Sequence, residues 1–296
     1  MHAYLIMAHT NEKQLGQLIS ALDYIENDIY IHLDIKMGDV NIDALRKKVK
    51  YSRLFFVNRK NVIWGHYSQI ECELTLFKAA LEYNKYEYLH LLSGMDLPLC
   101  SQENIHRYFN QTPKREYVHI EGNELKEKDE EKCYYRFFLQ KYVGNKEKGI
   151  LYYLQRLSIY IQKKMGIKKN NKPFKKMYKG ANWVSVTGEF IEYLVSKEVI
   201  INKVFRYSKC CDEIFLQTIL MNSPFANRLS NQIFHDDYSS CQRYIDWHRG
   251  NPYVFKEADY DELISSGYMF ARKFDSRIDS KIVDKIVSYV KGGQNE

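Results

Sequence analysis

The run Tyr88 to Leu99, Y-L-H-L-L-S-G-M-D-L-P-L, limits the folds open to this chain more than any other stretch. It is a short apolar segment that stops at Ser93-Gly94 and then presents one carboxylate, Asp96, ahead of Pro98. Apolar runs of this length bounded by turn formers read as buried strands. Gly94 permits a tight backbone path, and Pro98 cannot donate to a ladder, so the strand cannot simply continue in the centre of a sheet. In an open α/β sheet, ligands gather at the carboxyl ends of strands, where an Asp on the exit loop can reach them. An Asp at such a place can equally serve as the cap of the next turn.

The preceding residues repeat the pattern. Ala3 to Ala8 is a strand ending at His9, and Asn11 is placed to cap a helix through Leu22. Asp28 to Leu33 is a second strand closing on Asp34, and Leu54 to Val57 a third. Ser68 with Glu71 has the spacing of a capping box, opening a helix to about Tyr83 whose apolar side carries Ile70, Leu74, Phe77, Ala80 and Leu81. Strand–helix–strand alternation predicts the α/β class: a central, mainly parallel sheet flanked by helices. No internal repeat is visible, and at 296 residues one large domain or two closely packed ones would fit.

The formal net charge of +7 favours anionic partners such as nucleotides, phosphates or anionic lipid. The six cysteines form no C-x-x-C pair, and Met1 to Thr10 has neither the length nor the basic start of a secretory leader. Free thiols in a reducing, cytoplasmic setting are the expectation. No window reaches the roughly 18 apolar residues of a membrane span.

The middle of the chain differs in kind. Glu121 to Lys132 is charge-dense and reads as a surface segment. Ile150 to Ile161 is apolar almost all round, and Lys163 to Lys179 then carries eight lysines. Two readings stand: a core helix followed by a solvated loop, or an interfacial anchor on an anionic membrane through Ile150–Lys179. Nucleic acid fits less well, because the lysines are not interleaved with arginines or an aromatic platform.

In the last third, Gly180 to Val186 is a small-residue turn feeding a strand, with Trp183 near its mouth as a stacking face for a sugar or as core. Cys211-Asp212-Glu213 precedes a helical run from Ile214, so the two carboxylates either cap the helix or leave one free as a general base. In Phe270-Ala271-Arg272-Lys273-Phe274-Asp275, two adjacent cations lie between apolar flanks. They are surface charge, or a clamp on a diphosphate.

Taken in order, these segments resemble the core-2/I-branching glycosyltransferases, a family that includes the peptide O-xylosyltransferases. The resemblance rests on H-L-D at His32 to Asp34, W-G-x-x-S at Trp64 to Ser68, L-L-S-G-x-D-x-P-L from Leu91 and G-x-x-W from Gly180. It continues with C-D-E-x-F-x-Q-T from Cys211, R-x-I-D-W from Arg243 and F-A-R-K-F-D from Phe270. It implies a GT-A-like fold in one glycosyltransferase domain, residues 1–110 binding nucleotide and 111–296 binding acceptor. It also implies inverting transfer from a UDP-sugar to a saccharide hydroxyl, with no metal and no other cofactor. The only D-x-D, Asp259-Tyr260-Asp261, sits where it would open a helix through Leu263 and Ile264.

Carried over by motif, Arg272 and Lys273 would neutralise the diphosphate, with Arg243 assisting. Glu213 would be the base. Asp34, Asp96 and Asp212 would contact the donor's nucleotide or sugar. Trp183, Glu121, Lys132 and Arg136 would meet the acceptor. N-acetylglucosamine is favoured over xylose as the donor sugar, and a saccharide or lipid-linked saccharide of bacterial surface polysaccharide synthesis as the acceptor. The rival is a non-catalytic carbohydrate- or nucleotide-binding module on the same scaffold.

Overall fold

A computed structural model describes residues 1–169, 173–234 and 238–292 of the chain. Lys172, counted above in the basic tract, lies outside the described residues.

Eight strands form two sheets among the described residues. In chain order they are β1 (His2–Ala8), β2 (Asn27–Leu33), β3 (Arg53–Phe56), β4 (Tyr88–Ser93), β5 (Asp96–Pro98), β6 (Ser185–Thr187), β7 (Arg243–Ile245) and β8 (Phe270–Arg272). The main sheet runs β3-β2-β1-β4-β6. The pairs β3–β2, β2–β1 and β1–β4 are parallel, and only β6 enters antiparallel. The α/β, mainly parallel expectation holds.

Strand periodicity decides which face each side chain serves. In β1, Ala3 and Leu5 join one core, beneath the helices Ser68–Tyr83, Gly188–Ser196 and Phe215–Met221. Tyr4, Ile6 and Ala8 join the other, beneath Glu12–Leu22, Gln102–Phe109 and Ser280–Gly292. Asn11 caps its helix as expected, accepting from the Gln14 amide. The Ser68–Glu71 box does not form. Tyr67 precedes the helix without a side-chain cap, and the Ser68 hydroxyl accepts from the Ile63 amide instead.

The exit of β4 follows the chemistry of its turn. Gly94 donates to the Met7 carbonyl, and the chain reverses into β5 at the edge of a second sheet, ordered β5-β8-β7. Pro98 thus occupies an edge strand, where a missing donor costs least. This sheet pairs Asp96 with Arg272 across its antiparallel ladder. Asp259 precedes the helix Tyr260–Ser265, so the D-x-D opens a helix as its flanks suggested.

Two charged segments behave differently from simple solvated surface. Glu121 to Lys132 includes the start of a helix, Glu127–Tyr134, that buries Asp129. The helix Ile150–Lys164 buries only Gln155, Ile159 and Gln162, so the core-helix reading of Ile150 to Ile161 fails.

Candidate functional site

A cleft of about 790 Å³ opens at the carboxyl ends of β1, β2 and β4. Its floor includes His9, Asp34 and Ser93; its walls bring in Trp183, Asp212, Glu213, Glu121, Trp247 and Arg272. Strand ends from the first hundred residues thus meet loops from the last hundred, as expected for an open α/β sheet.

The cationic wall is built by β8 and braced by β5. Asp96 is fully buried and accepts from the Ser93 amide at 2.8 Å and the Ser93 hydroxyl at 2.9 Å. Its carboxylate lies 3.4 Å from the Arg272 guanidinium. Asp96 is therefore not among the cleft-lining residues: it holds the β4 exit turn and aims Arg272. Arg272 also stacks over Trp183, with the guanidinium carbon 4.3 Å from the ring centroid. Burial lowers the Arg272 pKa and Asp96 opposes that shift, keeping a desolvated cation at the cleft. Lys273 follows. It lies near His9, whose pKa is lowered by burial first and by Lys273 and Lys36 next.

Arg243 departs from the role that its motif suggested. It is fully buried, donating to the carbonyls of Cys241 and Val184 at 2.7 and 2.9 Å and to the Ser185 hydroxyl at 3.1 Å. Its guanidinium also sits over Phe270, 4.3 Å from the ring centroid. With its donors aimed at these groups, Arg243 fastens the two sheets together and presents no charge to a diphosphate.

The acidic wall is the turn Cys211–Glu213, which leads into the helix Phe215–Met221. Asp212 accepts from the Gln69 side-chain amide at 2.8 Å and, more loosely, from Asn182 at 3.4 Å. Burial, then the neighbouring Glu213, push its pKa up to about 7. Glu213 also moves upward through burial, while Lys179 and Lys132 pull it back. Lys179 lies 2.7 Å from Glu121, 3.5 Å from Asp129 and 3.8 Å from Glu213. Burial works against this ammonium, but Glu121 and the other carboxylates outweigh it and hold Lys179 charged.

Gly180 locks this wall into place. Its amide donates to the Glu213 carbonyl, and a Cβ there would lie 1.7 Å from the His119 carbonyl oxygen. Only glycine allows the G-x-x-W loop to pass so close, which explains a small residue three positions before Trp183.

Asp34 lines the cleft with both oxygens engaged, accepting from the amides of Lys36 and Val62 and pairing with the Lys36 ammonium at 3.3 Å. Glu121 and Trp183 also line it. Lys132 and Arg136 do not. Lys132 turns inward to Asp129 at 2.6 Å. Arg136 is tied through its backbone to Gln162 of the Ile150–Lys164 helix. Lys179, Gln69 and Asn182 were missed as site residues, although each lies beside or within a motif: Gln69 follows W-G-x-x-S, Lys179 precedes G-x-x-W and Asn182 lies within it. Among the described residues, no group of three or more His, Cys, Asp or Glu is gathered as a metal ion would require.

The sequence has relatives among known proteins. A family model described as Core-2/I-Branching enzyme matches residues 2–262. Xylosyltransferase sqv-6 of Caenorhabditis briggsae is 21% identical over 93% of this chain and 34% of its own length. Xylosyltransferase 2 of Rattus norvegicus is 23% identical over 95% of this chain and 33% of its own. A Bos taurus beta-1,3-galactosyl-O-glycosyl-glycoprotein beta-1,6-N-acetylglucosaminyltransferase is 23% identical over 94% of this chain and 66% of its own. The chain thus spans about a third of the two xylosyltransferases and about two thirds of the third relative. Among solved structures, apo mouse xyloside xylosyltransferase 1 aligns over 92% of this chain and 97% of its own, at 10% identity and a TM-score of 0.36.

Proposed function

The chain belongs to the Core-2/I-branching enzyme family, and on that premise we propose that it is an inverting glycosyltransferase moving a sugar from a UDP-sugar to a saccharide hydroxyl. The observation that carries the reading is one cleft with a carboxylate wall at Asp212-Glu213 and a desolvated cation at Arg272. Inversion needs a base on one face of the sugar and charge neutralisation on the other, and this cleft offers both.

In this mechanism Glu213 accepts the acceptor hydroxyl's proton as that oxygen bonds to the anomeric carbon. The bond from that carbon to the diphosphate oxygen breaks, and the electron pair leaves with UDP. Arg272, with Lys273 behind it, meets the charge that develops on the departing diphosphate, the service a divalent cation gives elsewhere. Burial raises both carboxyls of this pair, and Lys179 opposes the rise at Glu213. Asp212 retains a proton into the neutral range, while Lys179 and Lys132 favour the ionised form of Glu213. The ammonium of Lys179, 3.8 Å from Glu213, supports Glu213 as the base. Asp34 and Asp96 act by holding the loops that face the nucleotide and by aiming Arg272.

N-acetylglucosamine is the favoured donor sugar, with xylose the other candidate. The favoured acceptor is a saccharide or lipid-linked saccharide of surface polysaccharide synthesis. Screening UDP-sugars by hydrolysis and thermal shift would name the donor. Glu213→Gln should then lose at least about 10² of the transfer rate while still binding UDP. Near-normal turnover would remove Glu213 as the base. Absence of turnover with every UDP-sugar would favour the non-catalytic module.

A further inference from the structure

The helix Ile150–Lys164 is built inside out for a water-soluble surface. Gln155, Ile159 and Gln162 face the protein, where the Gln155 amide donates to the Gln140 side chain at 3.0 Å and Gln162 bonds the Arg136 backbone. The opposite side carries Ile150, Tyr153, Leu154, Leu157, Tyr160 and Ile161, all exposed, from 46% for Ile161 to 76% for Ile150. At about 100° per residue these six fall within an arc of about 120°. The stripe is therefore one continuous apolar face, and large exposed apolar patches mark interaction sites.

Charge identifies the partner. Residues 135–168 hold eight lysines and arginines against one carboxylate, Glu147, while the rest of the chain has 36 of each sign. The entire net charge of +7 therefore sits in this segment. Arg156 and Lys163 are paired with Glu131, but Lys141, Lys146, Lys148, Lys164 and Lys168 are exposed and enter no ion pair among the described residues. An apolar stripe in a segment rich in exposed lysines matches a bilayer whose acyl boundary lies beneath anionic headgroups. A second copy of the chain is a poor occupant, because a twofold interface would set this positive surface against itself. The helix has 15 residues, and among the described residues no helix is long and apolar enough to cross a membrane.

The helix also adjoins the cleft. Gln140, which receives the Gln155 amide, donates to the carbonyl of Trp64, and Trp64 is exposed at the cleft wall. We propose that the outward face of Ile150–Lys164 and its surrounding lysines dock on an anionic bilayer surface, setting the cleft beside the headgroups. Membrane docking does not rest on the transfer chemistry.

The test is co-sedimentation of the whole chain with vesicles of phosphatidylcholine alone or with one third phosphatidylglycerol. Binding should require the anionic lipid and weaken as salt rises. Two sets of exposed substitutions, Leu154→Glu with Leu157→Glu, and Lys141→Gln with Lys146→Gln and Lys164→Gln, should each lower partitioning about tenfold or more. An unchanged circular dichroism spectrum and a cooperative thermal melt would show that the variants fold. Equal binding to neutral vesicles, undiminished binding by either folded variant, or a lipid-free dimer broken by the Leu154/Leu157 variant would overturn the proposal.

Discussion

Asp212 offers the sharpest physical test, because its carboxyl enters the cleft floor at a measurable cost. Its pKa rises from 3.8 to about 7 on folding, a change of about three units, worth about 4 kcal/mol when fully expressed. A carboxyl raised in this way contributes stability below the unfolded value and loses it as pH climbs through about 7. Between pH 5 and pH 8 the wild-type chain should therefore lose roughly 2–3 kcal/mol that Asp212→Asn does not lose. Asn also disturbs the bonds from Gln69 and Asn182, but that offset does not depend on pH and cancels in the comparison. For a chain of this size, unfolding entropy of about 0.6 kcal/mol/K converts the difference to about 4 °C. Thermal melts of both proteins at pH 5, 6.5 and 8 would read it. The melting temperature of the variant, measured against wild type, should rise with pH along that span. A flat difference would show that Asp212 ionises in the folded protein as it does in water, and the assignment of the base to Glu213 would lose part of its electrostatic support.

Lys179→Met should move the acid limb of the kcat/KM profile to higher pH, since Lys179 helps to keep Glu213 ionised; activity at pH 6 should fall more than at pH 8, and a uniform loss would refute that role. Arg272→Met should weaken UDP binding about ten- to a hundredfold while leaving uridine, which lacks phosphates, unaffected; equal losses for both in a titration would show a collapsed cleft rather than a missing clamp. Transfer should persist in EDTA, and a strict requirement for Mn²⁺ would overturn the use of fixed cations.

Much of the site was legible because its backbone punctuation is local. Asp34, Ser93-Gly94, Gly180 and Glu213 each stand at a strand end or tight turn, where Gly or Asx chemistry marks the place whatever surrounds it. Side-chain direction was not legible in the same way. Arg243 and Arg272 both read as cations beside apolar residues, yet packing of the two sheets buries one on carbonyls and leaves the other at the cleft. Lys132 turned inward because Asp129, one helical turn away, is buried beneath it. Lys179 was hidden in a lysine tract whose other members have different tasks. The Ile150–Ile161 segment carries an apolar stripe at helical spacing, but spacing does not say that this stripe would face outward while two glutamines face the protein.

The pairing of β5 with β8 has a consequence for how this protein comes into being. Asp96 and Arg272 are about 175 residues apart in sequence, yet they are partners in one short ladder. Loop closure over that distance is costly, so such contacts form late. A chain emerging from the ribosome can pair β1, β2, β3 and β4 well before Arg272 exists, although the covering helix Ser280–Gly292 is added only after it. A truncation before Phe270 would retain much of the first sheet but leave the buried Asp96 carboxylate without its cation. The cationic wall of the cleft is therefore withheld until β8 has been added.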